Sequence, residues 1–289
     1  MLRALVVSLA MLTVSLGACV AETAPPEVGV RADSNKGEDS AAERELLEAA
    51  NKSRQLAGVA PLRMDESLHE AARTHAERMV ASDRLEHQLP GEPSLMQRIA
   101  LTSSLDGGLK PDGLKLDRAG ENIAYADSGP KVNDALMRSP PHRENLLDRG
   151  FNVAGIAAIW SKGRLYVVQD FAHEVPSYSA QQSGKLVGRS VGEMRQQAGL
   201  SELTQLTPPK LDEAACSLAR ENPPNAHLLA AAYDNRKIIT YTQSHPEILP
   251  QAAVSMLRDP GVHQFAVGCC YARNAAHPSG TYWIAILLY

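Results

Sequence analysis

The feature that most limits how this chain can fold is that its second half repeats its first, in order. Arg195-Gln196-Gln197-Ala198-Gly199-Leu200-x-x-Leu203 parallels Arg54-Gln55-Leu56-Ala57-Gly58-Val59-x-x-Leu62, and Leu211-Asp212-Glu213-Ala214-Ala215 parallels Leu68-His69-Glu70-Ala71-Ala72. Ile239-Thr240-Tyr241-Thr242-Gln243-Ser244-His245-Pro246 then lies opposite Ile123-Ala124-Tyr125-Ala126-Asp127-Ser128-Gly129-Pro130. Leu257-Arg258-Asp259-Pro260 lies opposite Met137-Arg138-Ser139-Pro140, and Tyr282 to Tyr289 supplies a closing strand. One match between alanine-rich helices arises by chance, whereas four in the same order imply two related units. At 289 residues the chain is long enough for both, since a domain takes roughly 100–200 residues.

In this register Lys237 stands where Glu121 does and Val262 where His142 does, with His263 displaced by one. The helix after Leu211 is expected to be cut short by Pro223-Pro224. The second unit therefore reads as a worn copy, with His227, His245, His263 and His277 as incidental residues. Its expected role is to pack against the first unit or to bind a partner.

Met1 to Ala18 carries one cation, Arg3, and then an apolar run ending at Cys19, a secretory signal too short to persist as a spanning helix. Leu16-Gly17-Ala18-Cys19 resembles a bacterial lipobox, which implies that Cys19 becomes the lipid-bearing first residue and anchors the chain to a membrane. Val20 after it, rather than Asp, implies the outer membrane in a Gram-negative cell. Residues 19–42 are rich in Pro, Ala, Glu, Asp and Ser and read as a disordered, solvated tether. The net charge of −4, with Lys and Arg scattered, gives no reason to expect a nucleic-acid partner. An exported chain sits where disulfides form, so Cys216 is expected to pair with Cys269 or Cys270, leaving one buried thiol. The cysteine spacing fits no usual zinc pattern.

Apolar spacing predicts a helix over Glu43 to Ala57, stopped by Gly58, and a second one capped by Asp65-Glu66-Ser67 and ending near Ser82. His69 and His75 in that second helix are six residues apart. They do not form an H-E-x-x-H pair, whose ligands share a face at a spacing of four, and both read as ordinary helix residues. Leu101 to Asp117 reads as a long loop, and Pro130 to Arg138 as a helix broken at Pro140-Pro141. Phe151 to Ile159 and Gly163 to Phe171 alternate as an antiparallel strand pair.

Gly120-Glu121-Asn122-Ile123-Ala124, followed by Ser139-Pro140-Pro141-His142-Arg143-Glu144-Asn145-Leu146-Leu147, resembles the bacterial branch of the CAP superfamily, the SCP-domain proteins. The family pattern is Gly-Glu-Asn-Ile-Ala and then Ser-Pro-Gly-His-Arg-x-Asn-Ile-Leu, so Pro141 replaces a glycine. Leu136 stands where the family usually has Trp. The opening phrase Asn51-x-x-Arg54-x-x-Ala57-Gly58-Val59-x-x-Leu62 also fits the start of such a domain. The resemblance implies an α+β fold, the α-β-α sandwich, over residues 43–175. A linker at 176–188 and a degenerate CAP-like α+β domain at 189–289 would follow.

Carried across residue by residue, the resemblance makes His87, Glu121 and His142 the residues of a cleft. Asn122, Arg143, Asn145 and Gln169 support them, and Asp134 lies where eukaryotic relatives carry a second acid. Two imidazoles and a carboxylate either hold a divalent cation such as zinc, with water in the fourth position, or form a hydrogen-bonded cluster. Three functions follow from the family. They are an envelope module that binds a lipid, wall-derived or protein ligand, a metal-assisted hydrolase with Glu121 as base, and a structural envelope protein. No G-x-S-x-G elbow is present, and the sequence favours binding over catalysis.

Overall fold

The computed structural model describes residues 37–105, 114–221, 229, 232–233 and 237–289. Cys19 and the signal segment lie outside the described residues, as do Pro223, Pro224 and His227. The first half runs β1 (Gly37–Glu38), α1 (Ser40–Leu56), β2 (Arg63–Met64), α2 (Glu66–Ser82), α3 (Leu95–Leu105), β3 (Leu116–Ala126), α4 (Gly129–Arg138), α5 (Pro140–Leu147), β4 (Val153–Ser161) and β5 (Arg164–Glu174). The second half runs α6 (Ala180–Gln197), β6 (Thr204–Leu206), α7 (Leu211–Arg220), β7 (Lys237–Gln243), α8 (Gln251–Leu257), β8 (Gln264–Ala272) and β9 (Thr281–Leu288).

Local chemistry sets the ends of these elements. Asp39 and Asp65 accept the Ala42 and Leu68 amides and so cap α1 and α2. Lys162 and Gly163 both adopt positive φ, 49° and 73°, the requirement of a two-residue type I′ hairpin between β4 and β5. Three expectations are corrected. Residues 37–42 of the expected tether are ordered, because β1 pairs with β4 and the Trp160 indole donates to Asp39 at 2.9 Å. Of the expected loop Leu101 to Asp117, Leu101 to Leu105 continues a helix and Leu116-Asp117 opens a strand, while residues 106–113 lie outside the described residues. Pro140 and Pro141 end α4 as expected and also open α5, since the first helical turn needs no proline N–H. Ala180 to Gly188 is the first part of α6, not linker, and Ser179 and Gln182 form a capping box at its start.

The first sheet has the order β1-β4-β5-β3, with β2 parallel on β4. One face packs Ile156, Val167 and Phe171 against Leu46, Leu136 and Leu146 of α1, α4 and α5. The other packs Ala157 and Val168 against Ala72, Ala76 and Met79 of α2. This is the expected α-β-α sandwich. The second sheet has the order β6-β8-β9-β7, with Val187 and Val191 of α6 on one face and Leu211, Ala215 and Leu218 of α7 on the other.

The halves match in detail. Arg54 is fully buried, and its guanidinium donates to the carbonyls of Ala60, Leu146, Asp148 and Phe151. Arg195, 2% exposed, donates to those of Ser201, Leu257 and Asp259. The Asp148 carboxylate accepts the Gly150 amide and the Asp259 carboxylate the Gly261 amide. Leu146-x-Asp148-x-Gly150-Phe151 therefore corresponds to Leu257-x-Asp259-x-Gly261-Val262, so α8 answers α5. The expected pairing of Leu257 with Met137 is displaced, and Ala253, not Val262, occupies the place of His142.

Gly155 on β4 and Gly268 on β8 fix the strand register in the same way. A Cβ there would lie 2.0 Å from the Leu68 carbonyl carbon and 2.3 Å from the Leu211 carbonyl oxygen, so α2 and α7 are seated directly on the strands. Gly155 faces Asp170, which faces Glu121; Gly268 faces Ala285, which faces Thr240. Thr240, not Lys237, is thus the counterpart of Glu121. The sequence register was off by three, an odd shift that puts Ile239 on the opposite sheet face.

The two halves belong to one compact unit. Buried Lys115 lies 4.2 Å over the Tyr271 ring, Arg273 donates to the Ala100 carbonyl, and the Tyr282 hydroxyl accepts the Tyr178 amide. A Gly155→Ala substitution is expected to destabilise the protein by about 3 kcal/mol through overpacking against helix backbone. Gly192→Ala in α6, where a Cβ meets nothing within 4 Å, is expected to stabilise it by about 0.5–1 kcal/mol. Urea unfolding of both variants measures this, and equal effects would refute the close-approach account.

Candidate functional site

Glu121 sits on β3, nearly buried, and both of its oxygens are engaged. The His87 imidazole is 2.8 Å from Oε1 through Nδ1, and the Arg98 guanidinium of α3 bonds Oε2. His75 of α2, fully buried, brings Nε2 to 3.8 Å from Oε2, while its Nδ1 is 2.9 Å from both oxygens of buried Glu92. Glu92 also accepts the Leu89 amide. The result is a buried chain of alternating charge and imidazole, His75–Glu92–Arg98–Glu121, with His87 at its outer end.

A second, amide layer ties this chain to α5. Asn145 donates to the Glu121 carbonyl and to Asn122 Oδ1, and Asn122 donates to the His142 carbonyl at 3.0 Å and to Gln169 Oε1 at 3.4 Å. Asn122 and Gln169 are fully buried. The Ser-Pro-Pro entry to α5 thus places His142, half-buried, beside the site. Arg143 is exposed, its backbone amide bonded to the Ser139 carbonyl. Asp134 lies on α4, among the residues lining a separate hollow against α1.

Sequence reasoning missed four members. His75 was read as an ordinary helix residue, yet it is a buried member of the chain. Glu92 and Arg98 fell in a stretch without a motif. Asp170, fully buried next to Gln169, has neither carboxylate oxygen hydrogen-bonded. Burial pushes its carboxyl well above the usual range, and Glu121 across the strand pair pushes it further, which favours the neutral acid. An acid beside Gln169 in the otherwise apolar stretch Leu165–Phe171 is the available signal.

The two exposed-side imidazoles diverge. Glu121 raises the His87 pKa through their hydrogen bond, whereas burial, and then the charge of His87, lowers that of His142. His87 thus holds a proton more readily than His142 does. As a metal centre the site fits poorly. A permanent cation, Arg98, already occupies one oxygen of Glu121. Among the described residues the donor sets whose ligand atoms lie within 4.8 Å of one another are Asp117-His173-His245 and Glu38-Glu43-His69, not His87, Glu121 and His142.

The expected disulfide joins Cys216 and Cys270, Cα atoms 5.0 Å apart, across α7 and β8. Cys269 is the buried thiol, its pKa pushed up to about 12 by burial.

Comparison with known proteins gives the following. Residues 47–171 match the cysteine-rich secretory protein family, CAP. The uncharacterised protein YkwD of Bacillus subtilis is 34% identical over 125 residues, 42% of this chain and 44% of that protein, so the chain spans less than half the length of this relative. An extracellular SCP-domain protein of Bacillus anthracis is similar at 21% identity and a TM-score of 0.40, over 46% of this chain and 41% of that one. An outer surface protein of Borrelia burgdorferi is similar at 19% identity and a TM-score of 0.42, over 49% of this chain and 99% of that one.

The His87 shift has a definite sign. Its folded pKa exceeds the unfolded value of about 6.5, so its contribution is full below that pH and is lost as pH rises through the raised value. His142 has the opposite sign, and its contribution is lost as pH falls below about 6.5. NMR titration is expected to show His142 losing its proton at lower pH than His87. Glu121→Gln is expected to bring His87 down toward the ordinary value, and an unmoved His87 in that variant would break the assignment.

Proposed function

As this chain is a CAP-domain protein of bacterial type through residues 47–171, we propose that it is an exported envelope protein whose CAP domain binds a lipid or wall-derived ligand at His87 and His142. The group that meets these imidazoles is an anionic or strongly accepting oxygen, such as a phosphate or carboxylate. His87, whose proton Glu121 helps to hold, attracts it, and His142 adds a hydrogen bond. The second half is read as a degenerate CAP-like domain. Cys19 carries the lipid anchor. Export is supported by the signal segment and by the Cys216–Cys270 disulfide.

One observation carries the binding reading. The second half builds the same scaffold with Leu218, Thr240, Ala253, Ile284 and Ala285 at the places of His75, Glu121, His142, Gln169 and Asp170. The fold therefore does not need the polar set, and a purely structural role for it loses its reason. The hydrolase alternative needs Glu121 as a base, but both its oxygens are already held by His87 and Arg98.

The test is mass spectrometry of molecules that co-purify with the full chain from its own envelope. A phosphate- or carboxylate-bearing lipid or glycan fragment is expected, and His142→Ala and His87→Ala are each expected to reduce its recovery at least tenfold. Equal recovery by the variants, or capture of a protein alone, contradicts the proposal. Intact mass of the same sample reports the acyl chains on Cys19.

A further inference from the structure

Away from the site just described, three side chains from separate segments meet where the two halves join. Asp117 lies near the start of β3, His173 near the end of β5, and His245 just after β7 in the second half. His173 Nδ1 is 2.8 Å from Asp117 Oδ1, and His245 Nε2 is 3.3 Å from Asp117 Oδ2. The two rings stack with centroids 6.3 Å apart. Each residue offers a ligand atom within 4.8 Å of the others. The side chains are 25%, 33% and 27% exposed for Asp117, His173 and His245, which leaves an approach open to a small solute.

We propose that Asp117, His173 and His245 bind a divalent transition cation of the zinc type that clasps the two halves together. Two imidazoles and one carboxylate are the donor set such an ion takes, with water completing the tetrahedron. Ligands at about 2.0–2.1 Å from a tetrahedral ion lie about 3.3 Å from each other, the separation His245 and Asp117 already have.

Two further features point the same way. The register of β3 on β5 shifts between Leu116 and Arg118, so Asp117 is the extra residue of a β-bulge. Bulges re-aim side chains, and this one is conspicuous in a ladder that is otherwise regular over ten paired positions. The other ring nitrogen of His245, Nδ1, lies 3.5 Å from Glu247 Oε1, and Glu247 Oε2 is buried without a hydrogen-bond partner. A carboxylate behind the far nitrogen of a ligating histidine fixes its tautomer and raises its basicity.

The probe is zinc added to the full, chelator-stripped chain, read by calorimetric titration and by thermal unfolding. One zinc per chain and a melting temperature that rises with zinc are expected. His245→Ala and His173→Asn are each expected to weaken binding at least tenfold, and Glu247→Gln by about 10-fold or more, as removal of such an outer partner does. His142→Ala and His69→Ala are expected to bind as the parent chain does. Circular dichroism shows whether each variant is folded. Asp117→Asn keeps the shape while removing the charge, so it is the fallback if a histidine variant misfolds. No zinc uptake by the parent chain overturns the proposal, as does unchanged affinity in folded His245→Ala and Asp117→Asn, or loss of binding on His69→Ala or His142→Ala alone.

Discussion

Each half of this molecule is organised around a fully desolvated guanidinium. Arg54 ends α1 and gathers carbonyls from the following turn, from the end of α5 and from the start of the chain toward β4. Arg195 repeats this for α6 and α8. Buried carbonyls without partners are costly, and one planar cation with five donors satisfies several while fixing where three segments meet. Desolvation lowers the pKa of Arg54, and packing by the surrounding carbonyls is what makes the burial tolerable. The placing of α5, and with it His142, depends on the frame this residue closes. The helix after the Ser-Pro-Pro turn is held at its far end by Arg54 and at its near end by Asn122, while its own Asn145 bonds back to β3.

The same frame occurs twice with different fillings. In the second half the corresponding positions are apolar except for Thr240. In the first the interior holds a buried chain of ionisable groups with Asp170, whose carboxyl burial pushes well above the usual range, at its back. Buried ion pairs are weak evidence for stability, because desolvation offsets most of the attraction. A chain of them retained on one copy of a scaffold that also stands without them is better explained by what it holds in place. Here that is the pair of imidazoles facing outward, with Glu121 fixing His87 and the amide layer fixing α5. The second half has instead a disulfide across α7 and β8, and it supplies the surface that His245 and Arg273 bring against the first.

Much of this was readable from residue order. The helix cap at Asp65 and the hairpin turn at Lys162-Gly163 are local signals with a single physical meaning. The acid, the asparagine and the histidine of the site were legible through the family pattern. What failed did so for definite reasons. The register between the halves rests on the likeness of Ile123-Ala124-Tyr125 to Ile239-Thr240-Tyr241, a match of residue types that ignores which sheet face each one occupies. The tighter signal was Leu-x-Asp-x-Gly after α5 and α8, which the buried arginines and the aspartate turn require. His75, Glu92 and Arg98 come from two helices and the loop between them, outside any motif, and only the tertiary fold brings them to Glu121. Asp117 and His245 are likewise 128 residues apart, beyond the reach of periodicity.

The central claim is that the polar chain serves the site and not the fold. Its most direct test is the stability of a chain in which His75→Leu, Glu92→Gln, Arg98→Met, Glu121→Thr and Asp170→Ala are combined, so that no charge is left without its partner. Where the second half has a counterpart, the new residue is the one found there. Urea unfolding is expected to place this variant within about 1 kcal/mol of the parent chain or above it, as replacement of whole buried ionic groups usually does. A loss of about 4 kcal/mol or more would mean that the chain of charges holds the domain together, and the account would be wrong.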